Sequence, residues 1–243
     1  MPDAAYGDVT IPAGECSGKH LTIKASAASS FASVDSLASQ VVLDGFRVLS
    51  DQSGISIRPE VQTVPLQLED VTLRNFKAGG LYILGNYVTV TDGEVGPFDS
   101  CAGKSGPWGV EDGILISGRS DDSGYHVPSK HITIGPRVSI HDVFRTDCDN
   151  HTDGIQAFGF DYLTIRGVRM WNVATSYLIG YTFHDDTVVD HLLVEDSQFG
   201  PVTLGGHGFS TGRTCASCNG TDSIVIRHNT FYSGPKQTTT AAR

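Results

Sequence analysis

The chain has 243 residues, of which 28 are Gly, 10 are Pro and 39% are hydrophobic, so it can bury a sizeable core within one domain. No apolar run approaches the ~18 residues of a membrane-spanning helix, so we expect no membrane association. The formal net charge is −10 and the Lys and Arg residues are scattered, which argues against nucleic acid as a partner. A neutral polymer suits this charge better than a polyanion, unless a local basic cleft offsets the field.

Two short β-type motifs alternate along the chain. The first type starts with Gly or Asp-Gly and continues with alternating apolar residues, at 53–57, 79–83, 112–116 and 153–157. The second type is a short Val/Ile/Leu/Thr run, at 71–73, 88–90, 132–134, 163–165, 192–194 and 224–226. Later apolar residues predict a third short strand in each repeat: Phe76, Val95, Val138, Val168, Phe199 and Phe231. Repeated motifs of this kind predict stacked β-repeats that run from about Leu21 to Phe231.

The alternation within the first motif predicts which side chains face the core. Side chains along a strand point to opposite faces in turn. The aliphatic residues at 55, 57, 81, 83, 114 and 116 should therefore face inward. Ser56, Tyr82, Leu115 and Gln156 should face outward.

The spacing of the motifs indicates where loops are inserted. Excess residues fall before the first motif at 91–111 and 141–152, and after it at 117–130, 182–190 and 206–221. Both sets border the same sheet from opposite edges. They predict an elongated groove with that sheet as its floor, a shape that suits a linear polysaccharide.

This pattern resembles the right-handed parallel β-helix of the pectate-lyase-like superfamily, and it covers nearly the whole chain. The segment 150–156, Asn-His-Thr-Asp-Gly-Ile-Gln, is similar to one in many secreted bacterial β-helix proteins. The resemblance implies an all-β, single-stranded right-handed parallel β-helix of about seven or eight rungs with long loop insertions. It also implies parallel sheets, an apolar bore and a carbohydrate polymer as the ligand. We assign residues 1–233 to this domain and 234–243 to a polar C-terminal tail, and we expect a secreted or cell-surface monomer.

The five cysteines favour an oxidising compartment. No Cys/His set has zinc-ligand spacing, so disulfides are the better interpretation for an exported protein. We pair Cys101 with Cys148 and Cys215 with Cys218, which leaves Cys16 as a small buried residue.

The carboxylates Glu111, Asp112 and Asp153 mark the start of successive copies of the first motif. Neighbouring strands lie ~4.8 Å apart, so Asp112 and Asp153 could stand roughly 5–7 Å apart. That distance suits acid/base work on a glycosidic bond, with like charge raising one pKa. Two other interpretations stay open. Asp-Gly is a turn signal whose carboxylate can simply bond the backbone, and a calcium ion could lie between Asp112 and Asp153. No other cofactor is expected.

Further residues near these carboxylates are candidates for the same site. His151 and His207 could orient substrate or transfer protons. The segments 150–153, 185–186 and 206–208 are similar, in order, to polygalacturonase-type motifs. They differ by an inserted His and by the position of the later two relative to their strands. The predicted substrate-binding residues are Arg145, Trp108, Gln156, Tyr181, His184 and Tyr125, and Trp171 is a further aromatic that could stack on a sugar or pack along the repeat.

The sequence therefore predicts an extracellular carbohydrate-active protein that cleaves or modifies a polysaccharide by hydrolysis or elimination. The alternative is a non-catalytic module that binds glycan or builds a cell surface. The two hypotheses differ in what Asp112 and Asp153 do: they either face open space or are held by backbone hydrogen bonds.

Overall fold

The computed structural model of the chain describes residues 4–14, 20–48, 54–58, 69–101, 111–117, 119–120, 126–127, 129–146, 152–158, 160–182, 189–200, 202–206 and 225–231. Within these ranges the fold is all-β, with 23 strands and no helix. No helix in these ranges could therefore cross a membrane.

Among the described residues, sheet 1 contains eight parallel strands and carries all four copies of the first motif. Its first strand, Ala5–Ile11, precedes the predicted start of the repeat near Leu21, so the repeat begins earlier than the sequence indicated. Tyr6-Gly7-Asp8-Val9 lacks a recognisable copy of the motif, which is why it escaped notice. In spatial order the strands are β1 (Ala5–Ile11), β3 (Ser30–Ser36), β5 (Gly54–Ile57), β7 (Gly80–Ile83), β10 (Ile114–Ser117), β15 (Ile155–Phe158), β18 (Leu178–Thr182) and β21 (Val202–Gly206).

In the described part of the chain, sheet 2 contains thirteen parallel strands and carries the second motif together with the predicted third strands. Its strands are β2 (Leu21–Lys24), β4 (Val41–Asp44), β6 (Glu69–Ala78), β8 (Asn86–Val95), β9 (Phe98–Asp99), β13 (Ser129–Ile134), β14 (Val138–Phe144), β16 (Phe160–Arg166), β17 (Val168–Val173), β19 (Val189–Glu195), β20 (Gln198–Phe199), β22 (Val225–Arg227) and β23 (Thr230–Phe231). A separate antiparallel pair consists of β11 (Arg119–Ser120) and β12 (His126–Val127).

The chain alternates between the two sheets, and equivalent residues of successive repeats lie side by side. Ile114 pairs with Leu81 on one side and with Ile155 on the other. The inward side chains predicted from the alternation are all buried in one apolar core. All pairings within the two large sheets are parallel, an arrangement that is compatible with a parallel β-helix.

Sheet 2 forks at β8. The first half of β8 pairs with β13 through Val90, and its second half pairs with β14 through Gly93 and Val95. The fork arises at Gly135-Pro136, because proline has no N–H to donate to the ladder. In addition, three residues separate Ile134 from Val138, whereas two separate their partners Val90 and Gly93 in β8. Strands extend into the predicted loops 91–111 and 141–152. Residues to Val95 and Phe98–Asp99 are strand in the first, and residues to Phe144 are strand in the second.

The corners of sheet 2 form a column of left-handed residues. Asp44 shows how one such corner is held, since its carboxylate accepts hydrogen bonds from Asn75 Nδ2 at 2.7 Å and from Arg74 at 3.1 Å. Asn, Asp and Gly tolerate this backbone region best, and Asn75 is one example. The equivalent positions, all with positive φ, are Gly45, Asn75, Asp92, Arg137, Gly167, Asp196 and His228.

The described residues include only one of the cysteines in the predicted disulfides. Cys101 is disulfide-bonded. Its predicted partner Cys148, and Cys16, Cys215 and Cys218, lie outside the described residues.

Candidate functional site

Asp112 and Asp153 lie at the corner that leads into sheet 1, and both are buried. Asp112 is 1% exposed and Asp153 is 0% exposed. The Oδ1 atom of Asp112 accepts the backbone N–H of Asp153 at 2.8 Å. The Oδ1 atom of Asp153 accepts the backbone N–H of Ser176, also at 2.8 Å. Each carboxylate thus connects its own repeat to the next, which is the geometry expected for the backbone-bonding interpretation.

The surrounding corner is a buried, hydrogen-bonded polar column. The hydroxyls of Ser100 and Thr152 lie 2.6 Å apart, and both residues are buried. The backbone N–H of Thr175 donates to the carbonyl of Thr152 at 3.0 Å, and Gly113 N–H donates to the carbonyl of Asp153 at 2.9 Å. Buried polar groups need such partners, so this column stabilises the corner in a single conformation.

The electrostatics of Asp112 follow from its burial. Desolvation raises the pKa of Asp112 well above its ordinary value, and the nearby charges of Asp153 and Glu111 raise it further. The hydrogen bond from the Asp153 N–H acts in the opposite direction. Glu111 is half-buried. Asp112 therefore keeps its proton to a higher pH than an exposed aspartate would.

The outer face of sheet 1 carries a covered apolar cluster where the sequence predicted the groove floor. Tyr82 and Leu84 are buried, and Leu115 packs against them in a cluster separate from the main core. Tyr82 hydrogen-bonds the Ser117 side chain, and burial raises the pKa of its phenol. Tyr82 and Leu115 face away from the core, as predicted, but Tyr82 is not open to solvent. Gln156 follows Leu115 in register and is half-buried.

The other predicted site residues are only partly covered by the described structure. Arg145 is half-buried directly after β14. Tyr181 lies in β18, but its side chain is outside the description. Within the described ranges, no cluster of three or more His, Cys, Asp or Glu side chains could hold a metal ion, so the calcium alternative stays a prediction. His151, His207, Trp108, His184 and Tyr125 all lie outside the described residues, and their roles also stay predictions.

A groove of about 770 Å³ lies on sheet 2, away from the predicted site. It crosses β14, β17, β20 and β23, and its lining includes Ser139, Arg169, Gln198 and Thr230 at equivalent positions of successive repeats. Sequence reasoning missed this surface because these residues share no local motif. The spacing of the repeats, which aligns Val138, Val168 and Phe199, is the signal that could have predicted that these residues lie side by side.

Trp171 lies on β17, two residues after the groove residue Arg169, and stacks on His141. Its ring is parallel to the imidazole of His141 within 4°, at a centroid distance of 4.5 Å. The nitrogens of His141 contact Asp142 Oδ2 at 2.9 Å and Glu94 Oε1 at 3.2 Å. Trp171 is 40% exposed, so it packs along the repeat while part of its indole stays open to solvent.

No protein-family model, curated protein or solved structure matches this chain.

Asp112 and Asp153 connect backbone groups of successive repeats and have almost no surface to offer a polymer. The groove on sheet 2 offers an exposed guanidinium, an amide and hydroxyls next to an aromatic ring. Such a set can bind a polar ligand through hydrogen bonds and ring contacts. The lining also includes Asp196 and His228, whose Oδ1 and Nδ1 atoms lie 3.9 Å apart.

Proposed function

We propose that the two sheets are walls of a right-handed parallel β-helix related to the pectate-lyase-like superfamily, and that the protein is exported. The parallel pairing, the fixed register between repeats and the single apolar core support this proposal. The disulfide-bonded Cys101 supports export, because disulfides persist mainly in oxidising compartments.

We propose further that this β-helix binds a linear polysaccharide without cutting it. One observation carries the proposal: the carboxylates of Asp112 and Asp153 are buried and bonded to backbone N–H groups. A general acid or base must come within about 2.6–3.2 Å of the atom it serves, or reach it through one water. Neither carboxylate can do so without opening the corner that it holds together.

The enzymatic alternative depends on other residues. A hydrolase or lyase would have to use the half-buried Glu111 with side chains such as His151 or His207, which lie outside the described residues. It would form its site on the loops that border sheet 1. The same assay can test both hypotheses.

The experiment incubates the full chain with a panel of plant, algal and bacterial polysaccharides. Affinity electrophoresis measures binding, and new reducing ends and unsaturated-uronate absorbance measure cleavage. We expect retardation by at least one polysaccharide and no product with any. Heat-unfolded protein is the control.

Two outcomes would count against the proposal. Product formation would establish an enzyme, and loss of that product in Asp153→Asn would return Asp153 to the mechanism. Absence of retardation across the panel would remove the glycan-binding function.

A further inference from the structure

We propose that two copies of this chain associate end to end through the exposed edge that β22 and β23 form, related by a twofold axis. The assembly does not depend on the proposed binding of a polysaccharide. It replaces the monomer expected from the sequence with a symmetric dimer.

The edge of sheet 2 at β22 and β23 has no further strand beside it among the described residues. The strand β22 pairs with β19, and β23 pairs with β20, each on one side only. Every residue of these two strands is exposed. An exposed strand edge presents N–H and C=O groups that can pair with a strand of another molecule. This edge is therefore able to extend the sheet across a contact between molecules.

The apolar core continues to this edge and is exposed there. Ile165 and Val194 are neighbours in one inward column of sheet 2, and both are 0% exposed. Ile226, the next member of this column, is 38% exposed. On β23, Phe231 follows Phe199 in register and is 54% exposed. Stacked repeats need a polar outer surface at their ends to stay soluble, so exposed core positions indicate a contact surface.

The opposite edge of sheet 2, at β2, is a poor partner for β22. A head-to-tail stack would continue the parallel ladder from β22 of one copy to β2 of the next. Ile226 and Ile23 belong to the same column of the register, so Arg227 would lie directly against Lys24 of the next copy. Like charges at directly opposite positions destabilise a strand pair.

The two edges also differ in their apolar surface. On β2, Leu21 is the exposed large apolar residue, whereas the edge at β22 and β23 carries three, Val225, Ile226 and Phe231. A contact between the unlike edges would leave part of the larger apolar surface in water. Two copies of the larger surface can cover each other.

A twofold axis through the corner 228–229, between β22 and β23, satisfies both conditions. Strands related by this axis run antiparallel, so β22 of one copy lies against β23 of the other. Ile226 then lies opposite Phe231 of the second copy, and Arg227 lies opposite Thr230 of the second copy. Apolar residues meet apolar residues, and the arginine meets a hydroxyl. A contact of this symmetry closes at two copies, which is the commonest form of oligomer.

The first experiment measures the oligomeric state of the full chain by sedimentation velocity over a wide range of protein concentration. We expect a reversible equilibrium between monomer and dimer. Ile226→Lys and Phe231→Lys should each weaken association by about tenfold or more, because a charge buried at a contact without a partner is costly. A wild type that stays monomeric at every concentration would overturn the proposal.

The chain offers a matched control at the other end of sheet 2. Leu21 on β2 is 50% exposed and, like Ile226, belongs to an inward column at an edge. We expect Leu21→Lys to dimerise like the wild type. Equal weakening by Leu21→Lys and Ile226→Lys, or species larger than a dimer, would indicate head-to-tail stacking and would overturn the twofold contact.

A second experiment uses the wild type alone, so it does not depend on the folding of a variant. Hydrogen–deuterium exchange is measured at protein concentrations below and above the dimerisation midpoint. The amides of β22 and β23 should exchange rapidly in the dilute monomer and gain protection as the dimer forms, while those of β2 should not change. Slow exchange of β22 and β23 in the dilute monomer would show that residues of the same chain cover this edge, and would overturn the proposal.

Discussion

Asp112, a catalytic candidate in the sequence, is a buried carboxylate that also bonds the backbone of the next repeat. Its Oδ1 atom satisfies the Asp153 N–H, which would otherwise be a buried donor without a partner. Its ionised form is costly at the same time, since burial raises the pKa of the carboxyl group. The hydrogen bond that Asp112 accepts therefore stabilises the corner, whereas burying its negative charge destabilises it.

These two effects can be separated by substitution. Asp112→Ala removes the acceptor and leaves the Asp153 N–H unsatisfied, so we expect a loss of about 1–3 kcal/mol in the free energy of unfolding. Asp112→Asn keeps an acceptor oxygen and cannot ionise, so it should be at least as stable as the wild type at neutral pH. Urea denaturation of the three proteins measures both effects. A loss in Asp112→Asn as large as that in Asp112→Ala would contradict the hydrogen-bonding role.

The pH dependence gives a second test of the same residue. The pKa of Asp112 is higher in the folded state than in the unfolded state, so the folded state binds more protons between the two values. The stability of the wild type should therefore fall as pH rises from about 4, the unfolded pKa of Asp, through the folded pKa. Asp112→Asn lacks this contribution, and its stability advantage should grow with pH over that window. Denaturation midpoints measured between about pH 4 and 7 check the slope.

Other carboxylates act in the opposite direction at lower pH. The hydrogen bond from Asn75 lowers the pKa of Asp44, and the hydrogen bond from Arg137 lowers the pKa of Asp92. Their contribution to stability is present above about pH 4 and is lost as pH falls through their folded pKa values. Both variants of Asp112 should lose stability at low pH in the same way as the wild type.

At the scale of the strand, the leading glycines of the first motif are required by the close approach of successive strands. A Cβ atom on Gly154 would lie 2.6 Å from the carbonyl oxygen of Tyr177, and one on Gly113 would lie 2.6 Å from that of Gly154. A backbone carbonyl within a ladder cannot move away as a flexible side chain can. The glycine is therefore fixed by packing between repeats, which explains why it recurs with the motif.

This close approach predicts a position-dependent cost of adding one methyl group. Gly154→Ala should lower the free energy of unfolding by about 1–3 kcal/mol, because the strands must separate to admit the Cβ atom. Gly7→Ala is the matched control in β1, where an added Cβ meets nothing within 4 Å, and it should be close to neutral. Thermal or chemical denaturation compares the two variants. Equal effects would mean that the contact with the Tyr177 carbonyl does not limit the position.

The strands also show what local sequence can and cannot predict. The inward faces of β5, β7 and β10 followed from alternation alone, because the apolar residues at these positions are separated by single outward ones. The first strand, β1, was missed because Asp8 and Thr10 alternate with Gly7 and Val9 in a way that a polar loop also shows. The outward Tyr82 was predicted correctly as to direction, but its burial depends on neighbours distant in the chain.

At the scale of the whole molecule, the arrangement of repeats was predictable and the useful surfaces were not. The alternation of two motifs predicted parallel strands in successive repeats, which the register of Ile114 with Leu81 and Ile155 confirms. The groove residues Arg169 and Gln198 come from different repeats and carry no motif, so only the register brings them together. Likewise, no local pattern could show that Asp112 is enclosed rather than exposed.

The fork at β8 divides sheet 2 into two ladders of strands that can open separately. The strands β6 and β8 are continuous across the fork, and β8 pairs with β6 on one side and with β13 and β14 on the other. Beyond β8, the two branches are separate ladders, and each can lose its hydrogen bonds without the other.

Local opening is easiest where few buried contacts must break, and the strands β22 and β23 at the far end of these ladders are exposed. In hydrogen–deuterium exchange, the amides of β8 should therefore be among the last to exchange and those of β22 and β23 among the first. Uniform protection along sheet 2 would show that the molecule opens only as a single unit.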